Sequence, residues 1–434
     1  MDEKEYLQTL GEQIVNPHAR ASVLAEIQDH IEEQAQDYRA SGMSEAVAMQ
    51  EAVRQMGDPV STGEALNQVH RPKFPIALFG LAVVLTVLGI AMQYLVYTHL
   101  TPDTAILSDT YLQRTILYNA IGLGLLLLCI FGNYMYLAKG TWILLAIFLL
   151  GLLPPWFFGF YSRQYTLCYY LALVYPLVYA LLLYRLRDKG AKAIWFLHGL
   201  TLLFLVRMLF GTIITWSTVL AAGCLTLLLL CLAIHRGILT GSSKRTLWLL
   251  TVLPYVAAAA CFVILFFQNS YMRDRLTEFL KGSGYVQQML ALEQQQQMLA
   301  FGGGTISSYV DTESLASTYV LHSIFLWFGI VSGILVIVAL AVLVLRSLHY
   351  ALHQSNRLAL LAGTAASGIL LFELLHFVLT NLGCSPVYTA SVPFLSYGFA
   401  NSVFNSLLVG ITLGVIRNQN VLSETTASLR GLRA

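Results

Sequence analysis

Hydrophobic residues crowd into long, almost unbroken runs over residues 75–416, separated by polar connectors, whereas the first seventy residues mix apolar and acidic positions at helical spacing. A membrane-crossing helix needs about 20 mostly apolar residues, because the hydrocarbon layer is about 30 Å thick and each residue rises about 1.5 Å. Ten runs meet that length: 75–98, 115–137, 141–160, 165–184, 193–211, 212–234, 247–267, 319–345, 358–380 and 394–416. The pattern predicts an all-α fold, a polytopic integral membrane protein of about ten transmembrane helices. Only the connector over 268–318 is long, and in it Leu276, Phe279 and Leu280 predict a short amphipathic helix lying on the membrane surface. A loop of that length is usually functional or disordered.

The N-terminal segment reads as a compact three-helix domain. Its second helix, about 18–40, sets Leu24, Ile27 and Ile31 on one face and Glu26, Asp29, Glu32 and Glu33 largely on the others. The third, about 45–56, follows Ser44 as an N-cap and stops at Gly57-Asp58-Pro59, where glycine suits a left-handed C′ position and proline blocks continuation. The boundaries expected are a cytoplasmic domain over 1–70, a membrane domain over 74–417 and a tail over 418–434.

Composition sharpens this division. Of 434 residues 57% are hydrophobic and 11% charged, where a soluble domain carries roughly a quarter charged. Residues 1–70 hold thirteen acids and four bases; the rest of the chain holds ten acids and twenty-one bases. Fifteen of those later bases fall on connectors of one side and six on the other, so the positive-inside rule puts both termini in the cytoplasm. The six cysteines lie in or beside apolar runs without paired spacing, which supports neither a disulfide framework nor a zinc site. The start lacks a basic segment followed by an apolar core, so no cleavable signal peptide is expected.

Ionisable groups at membrane depth are costly and therefore candidates for function. Glu373 and His376 lie one turn apart in the ninth run, and Arg207 and His322 fall near the outer ends of the fifth and eighth. Were these helices adjacent, the four groups would form an outward pocket for an anionic headgroup or a proton. A buried pair that fixes helix register, Glu373 with His376 or Arg207, explains them equally well. His30 stands at i+4 from Glu26 and i−3 from Glu33, a possible metal geometry, but no second histidine completes it and a solvated acidic face is favoured. His198 and the Tyr169-Tyr170 pair fit packing or interfacial anchoring. No phosphate-binding loop, nucleophile elbow or HExxH motif occurs, and nothing suggests nucleic acid, a metal or a cofactor.

The last third carries a more specific signal. Pro386-Val387-Tyr388-Thr389-Ala390-Ser391-Val392-Pro393-Phe394-Leu395-Ser396-Tyr397-Gly398, preceded by Asn381-Leu382-Gly383, resembles the P-x-T-G-x-x-L-P-F-x-S-Y-G-G signature of the SEDS family (the FtsW, RodA and SpoVE group). Arg275 to Leu280, Gly284-Tyr285-x-Gln287 and Ala300 to Gly304 resemble that family's large outer loop. By itself, Pro393 suits a helix start, Ser396 and Tyr397 set hydroxyls at the interface, and Gly398 permits close backbone approach. The resemblance implies a cavity for the undecaprenyl-linked cell-wall precursor, lined by candidates Arg207, Arg275, His322, Glu373, His376, Asn381, Pro393, Ser396, Tyr397 and Gly398. It also implies peptidoglycan glycosyltransfer, with a transpeptidase as partner.

At the catalytic positions the sequence departs from the family. Thr318 stands where the family has an aspartate, and Leu326 and Trp327 stand where it has paired glutamates. Threonine has no basic form near neutral pH and cannot serve as general base. Asp311 and Glu313 lie a few residues upstream and are the candidate replacements. Asp29-His30-Ile31-Glu32, Gly42 to Ala46 and Met56 to Val60 resemble the HAAS or permease-prefix domain, which implies a cytoplasmic protein partner for residues 1–70. The expectation is a divergent SEDS-type protein of wall synthesis, division or shape that binds precursor or scaffolds wall enzymes, with weakened or lost catalysis. An active glycosyltransferase using Asp311 or Glu313, and a lipid flippase or proton-coupled transporter using Glu373 and His376, are the alternatives.

Overall fold

The computed structural model describes residues 1–99, 110–153, 164–209, 216–282, 301–302, 316–385 and 391–419. Its internal contacts divide it into two units, one of residues 1–74 with 354–357 and the described part of 416–434, the other of residues 75–353 and 358–415.

The first unit contains four helices: α1 (Glu3–Gln13), α2 (Pro17–Ala40), α3 (Glu45–Gln55) and α4 (Pro59–Val69). Tyr6, Leu10 and Ile14 from α1 and its end meet Val23 and Ile31 from α2 and Ala52 and Val53 from α3 in one buried core. Leu24 and Ile27, expected on the same face as Ile31, are half-buried against it. The Tyr6 hydroxyl donates to the Met56 carbonyl at 3.1 Å, tying α1 to the end of α3. Gly57 takes the expected left-handed turn at φ 82°. The expected three helices are, however, four. The Asp58-Pro59 step that ends α3 also begins α4: the Asp58 carboxylate accepts the Ser61 N–H at 2.9 Å, and Pro59 sits in the first turn where its missing N–H costs nothing. The sequence hid α4 because it buries little apolar surface; Val60 and Val69 are exposed, and its contact with α1 runs through Gly63. A Cβ there would stand 2.8 Å from Gln13 Cβ and 2.9 Å from the Leu10 carbonyl oxygen.

The second unit is built from α5 (Ile76–His99), α6 (Tyr111–Phe131), α7 (Met135–Lys139), α8 (Thr141–Gly151), α9 (Gln164–Arg185), α10 (Ala191–Leu209), α11 (Trp216–His235), α12 (Lys244–Gln268), α13 (Ser270–Leu280), α14 (Val320–Phe328), α15 (Ile330–Leu352), α16 (Arg357–Asn381) and α17 (Phe399–Arg417). Among the described residues nine of these are long and apolar enough to cross a membrane, and the chain is a multi-pass membrane protein. In α9, α16 and α17 about three-quarters of the apolar window is buried, against 6% in α12. Leu249, Leu253, Val256, Ile264 and Phe267 of α12 are therefore open to the surroundings. Water would penalise that surface at about 25 cal/mol per Å², whereas lipid does not.

Of the third expected span, 141–160, the described part is helical over α8, and 154–160 lies outside the described residues. The eighth, 319–345, breaks at Gly329, whose φ of 87° separates α14 from α15. The crossing segment is α15, and α14 is a separate short helix, buried from Val320 to Leu326. The predicted amphipathic helix is present as α13, capped by the Asn269 side chain accepting the Met272 N–H at 3.2 Å.

Candidate functional site

Between α16 and α17, residues 391–398 form no regular element, although much of this stretch is buried. Buried backbone without helix or sheet must find other partners. The Gln93 side-chain amide of α5 donates to the Ala316 carbonyl at 2.7 Å and the Leu395 carbonyl at 2.8 Å, and its oxygen accepts from the Tyr111 hydroxyl. Asn401 of α17 donates to the carbonyls of Ser396 at 2.9 Å and Val392 at 3.3 Å. The Ser396 hydroxyl donates to the Ser317 carbonyl at 2.7 Å and accepts the Val392 N–H at 3.1 Å, while the Tyr397 N–H donates to the Ala316 carbonyl at 3.0 Å. The Tyr397 ring stacks on Tyr111 with centroids 4.5 Å apart. So bound, the segment holds Phe394 at φ 69°, a strained value for a residue with a Cβ.

The turn at 316–319 that this loop grips is gripped again from α16. The Asn381 amide donates to the Thr318 carbonyl at 2.8 Å and the Phe377 carbonyl at 2.9 Å, and its oxygen accepts the His322 backbone N–H at 3.0 Å. Asn381 is 1% exposed, and its bonds to Phe377 and His322 are buried while that to Thr318 is half-buried. Thr318 is thus held by its main chain from one side while its neighbours Ala316 and Ser317 are held from the other.

Deeper along α16, two turns before Asn381, sits Glu373, also 1% exposed. The Ser391 hydroxyl donates to its Oε1 at 3.4 Å and lies 3.2 Å from the Tyr169 hydroxyl of α9, making a tyrosine–serine–carboxyl chain. Glu373 Oε2 and the side-chain oxygen of Asn405 have no hydrogen-bond partner among the described residues. The ion pairs within 4.0 Å among those residues are His30–Glu33, Arg39–Glu45 and Arg54–Glu51, all in the first unit.

The expected four-residue pocket therefore does not form. Arg207 turns to the other side of α9: its Nε donates to the Leu152 carbonyl at 2.9 Å, and its guanidinium neighbours Cys168. Cys168 and Tyr169 are adjacent on a helix and point about 100° apart, which puts Arg207 and Glu373 on different faces of α9. His376 stacks on Phe372 with centroids 5.4 Å apart. His322 joins the site through its backbone, bonded to Asn381. Arg275 is half-buried on α13, one turn from the buried Met272, its Nε donating to the Tyr271 hydroxyl at 3.1 Å. Pro393 does not start the last span, which begins at Phe399; it lies in the turn that leads to Phe394. Ser396 is buried and fully engaged rather than interfacial. Gly398 is required for its own φ of 140°, not for close approach. The close approach occurs at Gly89, where a Cβ would overlap the Phe394 carbonyl. Asp311 and Glu313 lie outside the described residues, as does 386–390 of the motif. His30 makes a solvent-exposed pair with Glu33 at 3.7 Å.

Residues that the sequence did not single out include Gln93, Tyr111, Asn401 and Asn405, while it marks Tyr169 only as packing or anchoring and Ser391 only as part of the motif. The available signal was polarity within apolar runs: Gln93 interrupts the first, and Asn401 and Asn405 stand at i and i+4 in the last, bonded to each other at 2.6 Å.

Residues 5–61 match the HAAS family. No curated protein matches the chain at a significant level. Several solved structures are similar to it, two of which follow. One, from a peptidoglycan synthase complex described as coordinating polymerization and crosslinking, is 17% identical, covers 80% of this chain and 98% of its own, and superposes with a TM-score of 0.55. The other, a rod-shape-determining protein RodA from Thermus thermophilus, is 16% identical with the same coverages and a TM-score of 0.48. The expected N-terminal HAAS domain is found, and the expected polytopic all-α fold is shared with the component of the peptidoglycan synthase complex.

Proposed function

We propose that this protein is a divergent SEDS-type component of bacterial cell-wall synthesis, division or shape, which binds a lipid-linked wall precursor or scaffolds wall enzymes and has weak or no polymerase activity. In this reading residues 1–70 form a cytoplasmic partner-binding domain, residues 74–417 the membrane domain and 418–434 a cytoplasmic tail, with both termini inside the bacterial cytoplasmic membrane. The observation that carries the reading is the use made of the family-like motif. Asn381, Ser396, Tyr397 and Gln93 all converge on the turn 316–319, and that turn presents Thr318 where the resemblance calls for an aspartate. The framework that would position a catalytic acid is kept, and the acid is replaced by a hydroxyl that cannot act as a base. The likeness to a peptidoglycan synthase fold supports wall synthesis as the setting and a transpeptidase as a candidate partner.

Purified full-length protein incubated with lipid II tests this. Binding without glycan polymer is the expected result. Polymer that disappears in Asp311→Ala or Glu313→Ala would establish the active glycosyltransferase instead. The chain Tyr169–Ser391–Glu373 favours a second reading, a lipid flippase or proton-coupled transporter, because it supplies exchangeable protons at membrane depth.

A further inference from the structure

The first unit contains a cavity of about 620 Å³ lined by Val15, Asn16, Asn67, Arg71, Pro72 and Arg417. Two arginines and two asparagines line it, and among the described residues no acidic residue does. That is contrary to its setting, since residues 1–70 carry thirteen acids and four bases. Two arginines around one space give it a positive potential that favours an anion there. Arg71 makes no ion pair among the described residues.

Backbone and side-chain bonds shape the rim. The Lys73 N–H donates to the Arg417 carbonyl at 3.1 Å, which brings the two arginine-bearing segments together. The Val15 N–H donates to the Asn67 side-chain oxygen at 3.1 Å. That bond fixes the Asn67 oxygen toward Val15 and leaves its two N–H groups as donors for a ligand. Guanidinium forks and amide donors together match the oxygens of a phosphate group better than they match a carboxylate-free apolar ligand.

Depth supplies the second argument. Arg71 precedes the first span, which starts at Ile76, and Arg417 is the last residue of the last span. Arginines at span ends lie at the level of lipid headgroups, where each basic residue adds to attraction for anionic lipid.

We propose that Arg71, Arg417, Asn16 and Asn67 form a binding site for one phosphate-bearing anion, a site separate from the residues around Thr318 and Glu373 and independent of wall synthesis as the function. The phosphate belongs to an anionic phospholipid headgroup or to a soluble phosphate compound, and one experiment distinguishes them. Thermal unfolding of the full-length protein in neutral detergent is followed with added phosphatidylglycerol, phosphatidylcholine or inorganic phosphate. Stabilisation by phosphatidylglycerol but not phosphatidylcholine, with an affinity about ten-fold weaker in Arg71→Gln/Arg417→Gln, assigns a lipid headgroup. Stabilisation by inorganic phosphate with the same loss assigns a soluble phosphate. Absence of stabilisation by either, or stabilisation undiminished in the double variant, overturns the site. Should the double variant fail to fold, Arg71→Gln alone carries the test, because Arg71 is exposed and its replacement disturbs no packed core.

Discussion

Asn381 and Thr318 are joined by a 2.8 Å bond from the asparagine amide to the threonine carbonyl, and the same side chain accepts the His322 N–H. Asn381→Ala would take that partner from the buried His322 N–H, at a cost of about 1–3 kcal/mol, and from the half-buried Thr318 carbonyl at a smaller cost. Asn381→Asp keeps an acceptor for His322 but removes the donor to Thr318. Both variants are expected to unfold at lower temperature than the parent in the same detergent, and an unchanged midpoint for Asn381→Ala would contradict the role assigned here.

Gly89→Ala tests the loop from the other side. The new methyl would occupy the space of the Phe394 carbonyl, and Phe394 is already at φ 69° and cannot give way without breaking its neighbours' bonds to Gln93 and Asn401. Overpacking of this kind costs about 1–3 kcal/mol. Gly80, on the same helix, has open space where a Cβ would go. Thermal unfolding should therefore separate the two, with Gly80→Ala near the parent and Gly89→Ala well below it. Equal midpoints would mean that the loop is not pressed against α5.

These two sites also show what the sequence could and could not reveal. The spans follow from the length of apolar runs, helix α13 from its amphipathic spacing and the turn at Gly57 from Gly57-Asp58-Pro59, all properties that neighbouring residues carry among themselves. The Gln93 bond to Leu395 joins positions 302 apart, and nothing local distinguishes Gln93 from a solitary polar interruption of a span. Tyr169 reads as an interfacial anchor until α16 is seen to bring Glu373 and Ser391 beside it. The break at Gly329 was invisible for a different reason: α14 is buried and α15 spans, so apolar residues suit both and the hydropathy never falls. Conversely, the four charged or titratable groups expected in one pocket were placed by depth alone, and depth does not determine which face of α9 each one meets.

Glu373→Gln distinguishes the two functional readings. The amide keeps the size of the side chain and an oxygen to accept from Ser391, so folding should survive. If the protein holds precursor without moving it, lipid II binding by Glu373→Gln should match the parent. If the tyrosine–serine–carboxyl chain carries protons, pH-dependent lipid movement in reconstituted vesicles should be lost while binding persists. Movement that is unchanged by the substitution would reject the transporter reading.

Asp58 gives the N-terminal unit a pH dependence whose sign is fixed. The Ser61 backbone N–H bonded to its carboxylate lowers the Asp58 pKa below the ordinary value, and the Arg54 guanidinium bonded to Glu51 does the same for that residue. A carboxyl whose folded pKa lies below its unfolded value stabilises the fold above the unfolded pKa, about 4, and that contribution disappears as pH falls through the folded pKa. Both groups are at the surface, so the effect is a local one on the helix that Asp58 caps. Amide exchange across α4 in the full-length protein, corrected for intrinsic rates, should therefore quicken as pH is lowered from about 6 to about 3.5. Asp58→Asn retains a capping oxygen but has no carboxyl to protonate. Exchange across α4 in that variant should lose most of its pH dependence; a slope equal to the parent's would show that the cap is not what holds the start of the helix.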